Sequence, residues 1–387
     1  MKNLPGDPNS SSLNCLPPSF DWVGFRQLLQ KFSTPDFAQG YEIINQRALS
    51  LCLKVVEHYG LFRDQPPVET MESITDKIHF VPRARYLVER MMTLLTEEKY
   101  LSHFDNSWAA IRPFLPLTRE WTDPHVYPHG LSVDPIFEYF RRVEENVFAF
   151  FSGRKIGPGI VFDKGNRSFW ESLNNDSIFF APYAQLAAFI AEGCMSDGAR
   201  ILEIGAGTGA VTARLLEINS TKMSKYLYTD VSTVFLDKGK DRFGEYPFIE
   251  FKTYDVDEPP RPQGIEEGVF DVVLGVNAIH VARDISKSLR FLRSLLRPSG
   301  RLIIGEGSPP DPHRMWRPDL LFGILDGWWN VTTDSNLRPQ PGWLLPSNWQ
   351  ALFQDAGFVG ICALPEEEYF GRDTYGGVIA GQAPGVT

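Results

Sequence analysis

Apolar residues recur along the first third of the chain at helical spacing. From Thr34 and Pro35 the pattern runs through Tyr41, Ile44, Ala48, Leu51 and Val55 to Gly60. Proline at a first helical position has no N–H to lose, and glycine tolerates the left-handed cap, so these two residues mark a start and a stop. A second stripe, Tyr86, Leu87, Met91, Leu94 and Leu95, predicts a helix from about Pro82 to Tyr100. A third is predicted near Pro135 to Phe151. Such stripes are packing faces. Residues 1–18, rich in Pro, Ser and Asn, read as a disordered tail.

From about residue 160 the period changes. A helix near Pro182–Ala191 precedes short apolar runs that alternate with helical segments, the pattern of a parallel α/β sheet. Strands are predicted at 199–204, 226–229, 248–252, 270–275, 301–305, about 358–364 and 375–382. An aromatic insertion occupies 308–345, and a helix capped by Ser347 follows it to Gly357. The expected fold class is α/β: a Rossmann-like, seven-stranded, mostly parallel sheet at 161–387. A mainly helical, substrate-side domain is expected at 19–160, with the insertion as a lid.

Length agrees with that division, since 387 residues exceed one typical domain. The net charge of -10 argues against a nucleic-acid partner, because phosphate binding needs clustered Lys and Arg. Arg290, Arg293, Arg297 and Arg301 form one basic stretch, read as a solvated face. Cys15, Cys52, Cys194 and Cys362 lie far apart with no C-x-x-C pair, so free thiols of a reducing compartment are expected. The polar, proline-broken N-terminus lacks a signal-peptide core, and no apolar run reaches membrane length. The expectation is a cytoplasmic protein without a membrane partner. His125 and His129 are four apart, but Pro124 and Pro128 oppose a helix that would aim both rings at one ion, so no metal is expected.

The chemistry concentrates at Ile201-Leu-Glu-Ile-Gly-Ala-Gly-Thr-Gly-Ala210, a buried strand, a glycine turn and a helix start near Val211. Gly205, Gly207 and Gly209 let the backbone turn sharply and approach a nucleotide-like ligand. Gly205, Gly207 and Ala210 also fit the dinucleotide pattern, so the glycines alone do not choose a cofactor. Three acids do. Glu203 sits inside the strand where an apolar residue is usual. Asp230 ends the second strand, placed for ribose hydroxyls. Asp255 and Val256 follow the third strand, placed for an adenine amino group. Together they favour S-adenosylmethionine (SAM).

These segments resemble the C-methyltransferase domain of polyketide synthases. Tyr228-Thr-Asp-Val-Ser232, Tyr254-Asp-Val-Asp257, Asn277-Ala-Ile-His-Val-Ala-Arg-Asp284, Leu295-Leu-Arg-Pro-Ser-Gly-Arg-Leu302, Phe322-Gly-Ile-Leu-Asp-Gly-Trp-Trp329 and Trp349-Gln-Ala-Leu-Phe-Gln-Asp-Ala-Gly-Phe358 are similar to that family's blocks. The likeness covers about 135–385, and the N-terminal helices only loosely. Ala184 departs from the family's usual Asn after the Tyr matching Tyr183, and Val161-Phe-Asp-Lys-Gly165 departs from its apolar-Phe-Pro-Gly run. The resemblance implies either a free-standing enzyme or one domain of a larger synthase.

His280 lies just beyond the fourth strand and Glu306 at the end of the fifth, neighbours in the implied strand order. A histidine titrates near neutrality, and a carboxylate on its other ring nitrogen fixes the tautomer. The family's pattern implies a His–Glu catalytic pair, with Tyr183 at the active site, Asn277 among the cofactor residues, and Phe322, Trp328 and Trp329 in the lid. The expected reaction is methylation of a β-keto acyl carbon on a small-molecule or carrier-protein-tethered substrate. O-methylation, SAM binding without turnover and dinucleotide oxidoreduction remain as alternatives.

Overall fold

The computed structural model describes residues 15–115, 125, 127–162, 167–308, 319–334, 336–365 and 376–385. Helix α1 (Trp22–Phe32) starts at Asp21, whose carboxylate accepts from the Gly24 N–H at 2.9 Å. Helix α2 (Pro35–Tyr59) carries the predicted proline at its first position and ends at Gly60, φ 62°, in the left-handed region. Strand β1 (Val68–Thr70) leads into α3 (Met71–Ile78), closed at its start by a capping box between Thr70 and Ser73. Then come α4 (Arg85–Glu97), β2 (Leu101–Phe104) and β3 (Ser107–Ala110). β1, β3 and β2 form a small antiparallel sheet, so this part is not helical alone. Its strands have three or four residues, too few for alternation to stand out in sequence.

Helices α5 (Asp134–Phe151), α6 (Gly157–Val161), α7 (Arg167–Asn175) and α8 (Ala181–Cys194) lead to the main sheet. There β4 (Ala199–Ile204), α9 (Ala210–Asn219), β5 (Met223–Asp230), α10 (Thr233–Phe243), β6 (Ile249–Thr253) and β7 (Phe270–Val276) alternate as predicted. Helix α11 (Ile285–Leu295) and β8 (Leu296–Gly307) follow. Short helices α12 (Asp319–Phe322) and α13 (Asp326–Trp329) belong to the aromatic insertion. Helix α14 (Pro346–Asp355), β9 (Val359–Leu364) and β10 (Gly376–Gln382) complete the order. α14 starts two residues earlier than expected: Leu345, with no side-chain cap, takes the N-cap place expected of Ser347, and Pro346 is the first helical residue.

The sheet order is β6-β5-β4-β7-β8-β10-β9. β6, β5, β4, β7 and β8 are parallel, and β10 runs antiparallel to both β8 and β9. The order reverses at β4, whose neighbours are β5 and β7. A crevice therefore opens at the carboxyl ends of these strands, where doubly wound sheets bind ligands. Both faces are covered by helices, and this explains the near-continuous apolar strands.

Two readings need correction. Cys15 and Cys362 form a disulfide, with Cα atoms 5.9 Å apart across a sequence separation of 347, whereas Cys52 and Cys194 take part in no disulfide. Spacing along the chain cannot reveal a pairing made by folding. The same bond shortens the expected tail: Cys15 and Leu16 are buried, and the Cys15 carbonyl accepts from Arg301 Nε at 3.1 Å. Residues 1–14 lie outside the described residues. The basic stretch is a solvated face, as read, with its arginines paired to neighbours at the surface. Arg290 pairs with Asp355, Arg297 with Asp271, and Arg293 donates to the Gly357 carbonyl.

Candidate active site

A cavity of about 560 Å³ occupies the crevice at the ends of β4 to β7. The turn after β4 forms its floor. Gly205 and Gly207 both have φ 56°, conformations an L side chain resists. A Cβ on Gly205 would stand 2.6 Å from the Ala278 Cβ, so the close approach of the two loops needs glycine there. Gly209 is placed differently from expectation: it does not line the cavity. It caps α9 at φ 76°, with its Cα against the Phe243 ring.

The predicted acids converge on this space. Glu203, Asp230, Asp255 and Val256 line it, together with Asp257 and Asn277. Glu203 is buried, and its carboxylate accepts hydrogen bonds from the Thr212 and Tyr226 hydroxyls. Burial pushes its carboxyl up to about 7, against those two donors. Asp230 accepts from the Gly207 N–H at 2.9 Å and the Ser232 N–H at 2.8 Å, so it braces the glycine turn. Its carboxyl is also raised by burial. Asp255 accepts from the Asp257 N–H at 2.9 Å, and Gln263 bridges the same loop through the Asp255 N–H and carbonyl.

Three lining residues carry buried polar atoms that meet no partner, Asn277 Oδ1, Thr208 Oγ1 and the Tyr254 hydroxyl. Such atoms are costly unless something bonds them. Asn277 also has φ 50°, with its N–H donating to the Gly305 carbonyl at 2.8 Å. An acidic rim, a glycine floor and three unpartnered oxygens fit a cationic, hydroxyl-bearing nucleoside such as SAM.

His280 and Glu306 meet as expected. His280 Nδ1 lies 2.7 Å from Glu306 Oε2, and Glu306 Oε1 accepts from the Ile279 N–H at 3.0 Å and the His280 N–H at 3.3 Å. Three hydrogen bonds thus fix a carboxylate that is almost fully buried. With Nδ1–H donated to it, Nε2 keeps the ring's lone pair. Asn277, Ala278, Val281 and Ala282 line the cavity, but His280 does not. Its ring stands behind that wall, beneath two indoles: Trp328 at 5.1 Å and Trp343 at 5.5 Å, both edge-on.

Of the lid residues, Phe322 stacks on Trp328 at 4.9 Å, whereas Trp329 points elsewhere and stacks on Tyr86 of α4 at 6.3 Å. Tyr183 is buried on α8 against β10: a Cβ on Gly376 would be 2.4 Å from its ring and 2.5 Å from the Glu306 carbonyl. Neither Tyr183 nor the lid trio lines the cavity, but Ala184 does.

Sequence reading missed several participants. Trp343 covers His280, and Arg338 donates to the carbonyls of His280 and Ala282, fixing the loop that bears His280. Asp319 is a buried carboxylate in the insertion. Phe162, Trp170 and Phe180 form an aromatic wall, with Asn174 beside them. No local pattern marks these residues; a buried Arg or Asp in an irregular segment gains meaning only from its fold partners.

Residues 202–302 match a family model described as a methyltransferase domain. The chain is 32% identical over 236 residues to methyltransferase calH of Penicillium decumbens, covering 59% of this chain and 61% of that protein. It is 27% identical over 343 residues to highly reducing polyketide synthase gloL of Glarea lozoyensis, covering 85% of this chain and 13% of the synthase. The chain thus spans less than two thirds of the length of either relative. In fold, it is similar to the CurJ carbon methyltransferase, with TM-score 0.79, 23% identity and coverage of 94% of this chain and 96% of that one. A crystal structure of trans-methyltransferase CalH in complex with SAH aligns with TM-score 0.62 and 23% identity, covering 89% of this chain and 92% of that one.

Proposed function

We propose, from the premise that this chain is a SAM-dependent methyltransferase of the class I fold, that it methylates an activated acyl carbon with His280 as base. The observation that carries this reading is the His280–Glu306 pair, 2.7 Å apart at the ends of adjacent strands β7 and β8, beside the cavity. Bound SAM would supply an electrophilic methyl group on a sulfonium. Glu203, Asp230, Asp255 and Asn277 would hold it, the acids favouring its positive charge and Asn277 Oδ1 gaining a partner.

His280 Nε2 then takes the α-proton of a β-ketoacyl thioester, and the electron pair left on that carbon becomes the nucleophile. Glu306 holds Nδ1–H and faces the imidazolium that forms, which keeps the ring oriented. Trp328 and Trp343 keep water from the imidazole and must yield for substrate to reach it. The aromatic wall of Phe162, Trp170 and Phe180 suits an apolar acyl chain, with Phe162 45% exposed at the mouth. CalH is named a trans-methyltransferase and CurJ a carbon methyltransferase, in keeping with a substrate on a polyketide carrier arm or free in solution.

The test is methyl transfer by His280→Ala and Glu306→Gln with SAM binding followed by calorimetry. The alanine variant is expected to lose about 10²–10⁴ in kcat with SAM affinity within about threefold of wild type. Near-normal turnover would remove the base from the reaction. NMR of the product assigns the new bond: a methyl on oxygen would replace this reading with hydroxyl methylation by the same pair.

A further inference from the structure

The base is covered by a side chain whose place is set from another part of the molecule. Asp319, on α12, is buried and shares its carboxylate between two donors. Oδ2 accepts from Arg90 Nη2 at 3.0 Å, and Oδ1 accepts from Trp328 Nε1 at 3.2 Å. Arg90 belongs to α4, with its guanidinium 5.9 Å from the Tyr86 ring centroid. Trp328 in turn stands 5.1 Å from the His280 ring, stacks on Phe322 and packs edge-on against Trp343 at 5.3 Å. The backbone makes room for this chain of contacts at Gly342, φ 78°, where a Cβ would fall 2.9 Å from the Trp328 indole and 3.1 Å from Asp319 Oδ1. Nothing in the reaction described above uses Asp319.

We propose that Asp319 is a positioning residue of the active site: held by Arg90 of α4, it fixes the Trp328 indole against the imidazole of His280. This rests on His280 being the base. An indole has one hydrogen-bonding group, so one acceptor decides which way its plane faces. Buried acceptors with charged donors hold such orientations best. Burial pushes the Asp319 carboxyl up to about 6, with the Arg90 charge acting against that rise, so near neutral pH the pair is ionic. His280 also lies within the reach of Asp319's charge. The charged groups around the imidazole are therefore Glu306 from β8, Asp319 from α12 and Arg338 from the insertion.

The experiment uses the full chain with 15N-labelled tryptophan. The sequence has nine tryptophans, and Trp328→Phe assigns the Trp328 indole signal by its loss. In Asp319→Leu that signal is expected to move upfield, and its amide-type exchange with D₂O to quicken at least about tenfold. Asp319→Asn, which keeps an acceptor oxygen, is expected to restore both. With SAM and the N-acetylcysteamine thioester of a β-ketoacid, Asp319→Leu lowers kcat about tenfold or more while KM stays within about threefold. In the Trp328→Phe background the same change costs less than about twofold further, since the two residues act as one unit. Should Asp319→Leu not fold, Arg90→Met removes the anchor and is expected to shift the same indole signal. A Trp328 signal unmoved in these variants, or kinetic losses that simply multiply in the double variant, overturns the proposal. Failure of wild type to methylate the thioester counts against the reaction alone, and the indole spectrum still decides the place of Asp319.

Discussion

At the scale of single residues, Glu203 is a carboxyl group folded into an apolar strand. Its acceptor is satisfied by Thr212 and Tyr226, but hydroxyl donors replace water incompletely, and burial raises it from 4.5 to about 7. A carboxyl raised on folding keeps its proton while the unfolded chain has lost its own. Between about pH 4.5 and 7 the folded state binds more protons, so on this account stability falls as pH rises through that window. Glu203→Gln keeps the acceptor and removes the charge. We expect its thermal stability to match wild type near pH 4.5 and to exceed it by roughly 1–3 kcal/mol at pH 8. Calorimetric melts across pH check this, and a gain independent of pH would contradict it. A residue retained at such a cost points to a ligand that benefits from the charge, as a sulfonium-bearing amino acid would.

Elements carry the site because each ends where the sheet order reverses. β4 delivers Glu203 and the glycine turn, β5 delivers Asp230, β6 the loop with Asp255, β7 the loop with Asn277 and His280, and β8 Glu306. This much was legible in sequence, since apolar runs punctuated by turns fix the strands, and a polar residue at a strand end has only the edge to face. Helix starts were legible where proline or glycine marked them. The cover was not. Trp343 and Arg338 lie in irregular backbone and Asp319 in the four-residue α12, and only the closing of the insertion over β7 and β8 brings them to His280. Gly209 has a structural reason the sequence did not show: its glycine identity is explained by the φ of 76° at the α9 cap and by contact with Phe243 from α10. Gly209→Ala would set a Cβ 2.3 Å from that ring. Together with left-handed strain, a loss of about 1–3 kcal/mol in urea unfolding is expected. SAM affinity should change less than in Gly205→Ala, whose Cβ would drive the β7 loop away.

Across the whole molecule, the two ends of the described chain are joined at one edge of the sheet. Cys15 precedes α1 and Cys362 lies in β9, the terminal strand of the order, and the Cys15 carbonyl also holds Arg301 of β8. The N-terminal segment is thereby pinned to the sheet by one covalent bond and one hydrogen bond, with Cys15 and Leu16 buried beneath. A cross-link spanning most of the chain restricts the unfolded state strongly, and removal of such bonds typically costs about 2–4 kcal/mol. Oxidised wild type is therefore expected to melt above Cys15→Ser, with the difference lost in dithiothreitol because only wild type has a bond to reduce. Cys52→Ser, which leaves the Cys15–Cys362 bond in place, should melt with the same dependence on reductant as wild type. The compartment follows from the same measurement. If the chain purified from its native cells under thiol-blocking conditions carries the bond, the protein works where disulfides persist, against the reducing environment that the cysteine spacing suggested. If both thiols are trapped free, burial alone keeps Cys15 against β9, and the cross-link forms only after the cell is broken.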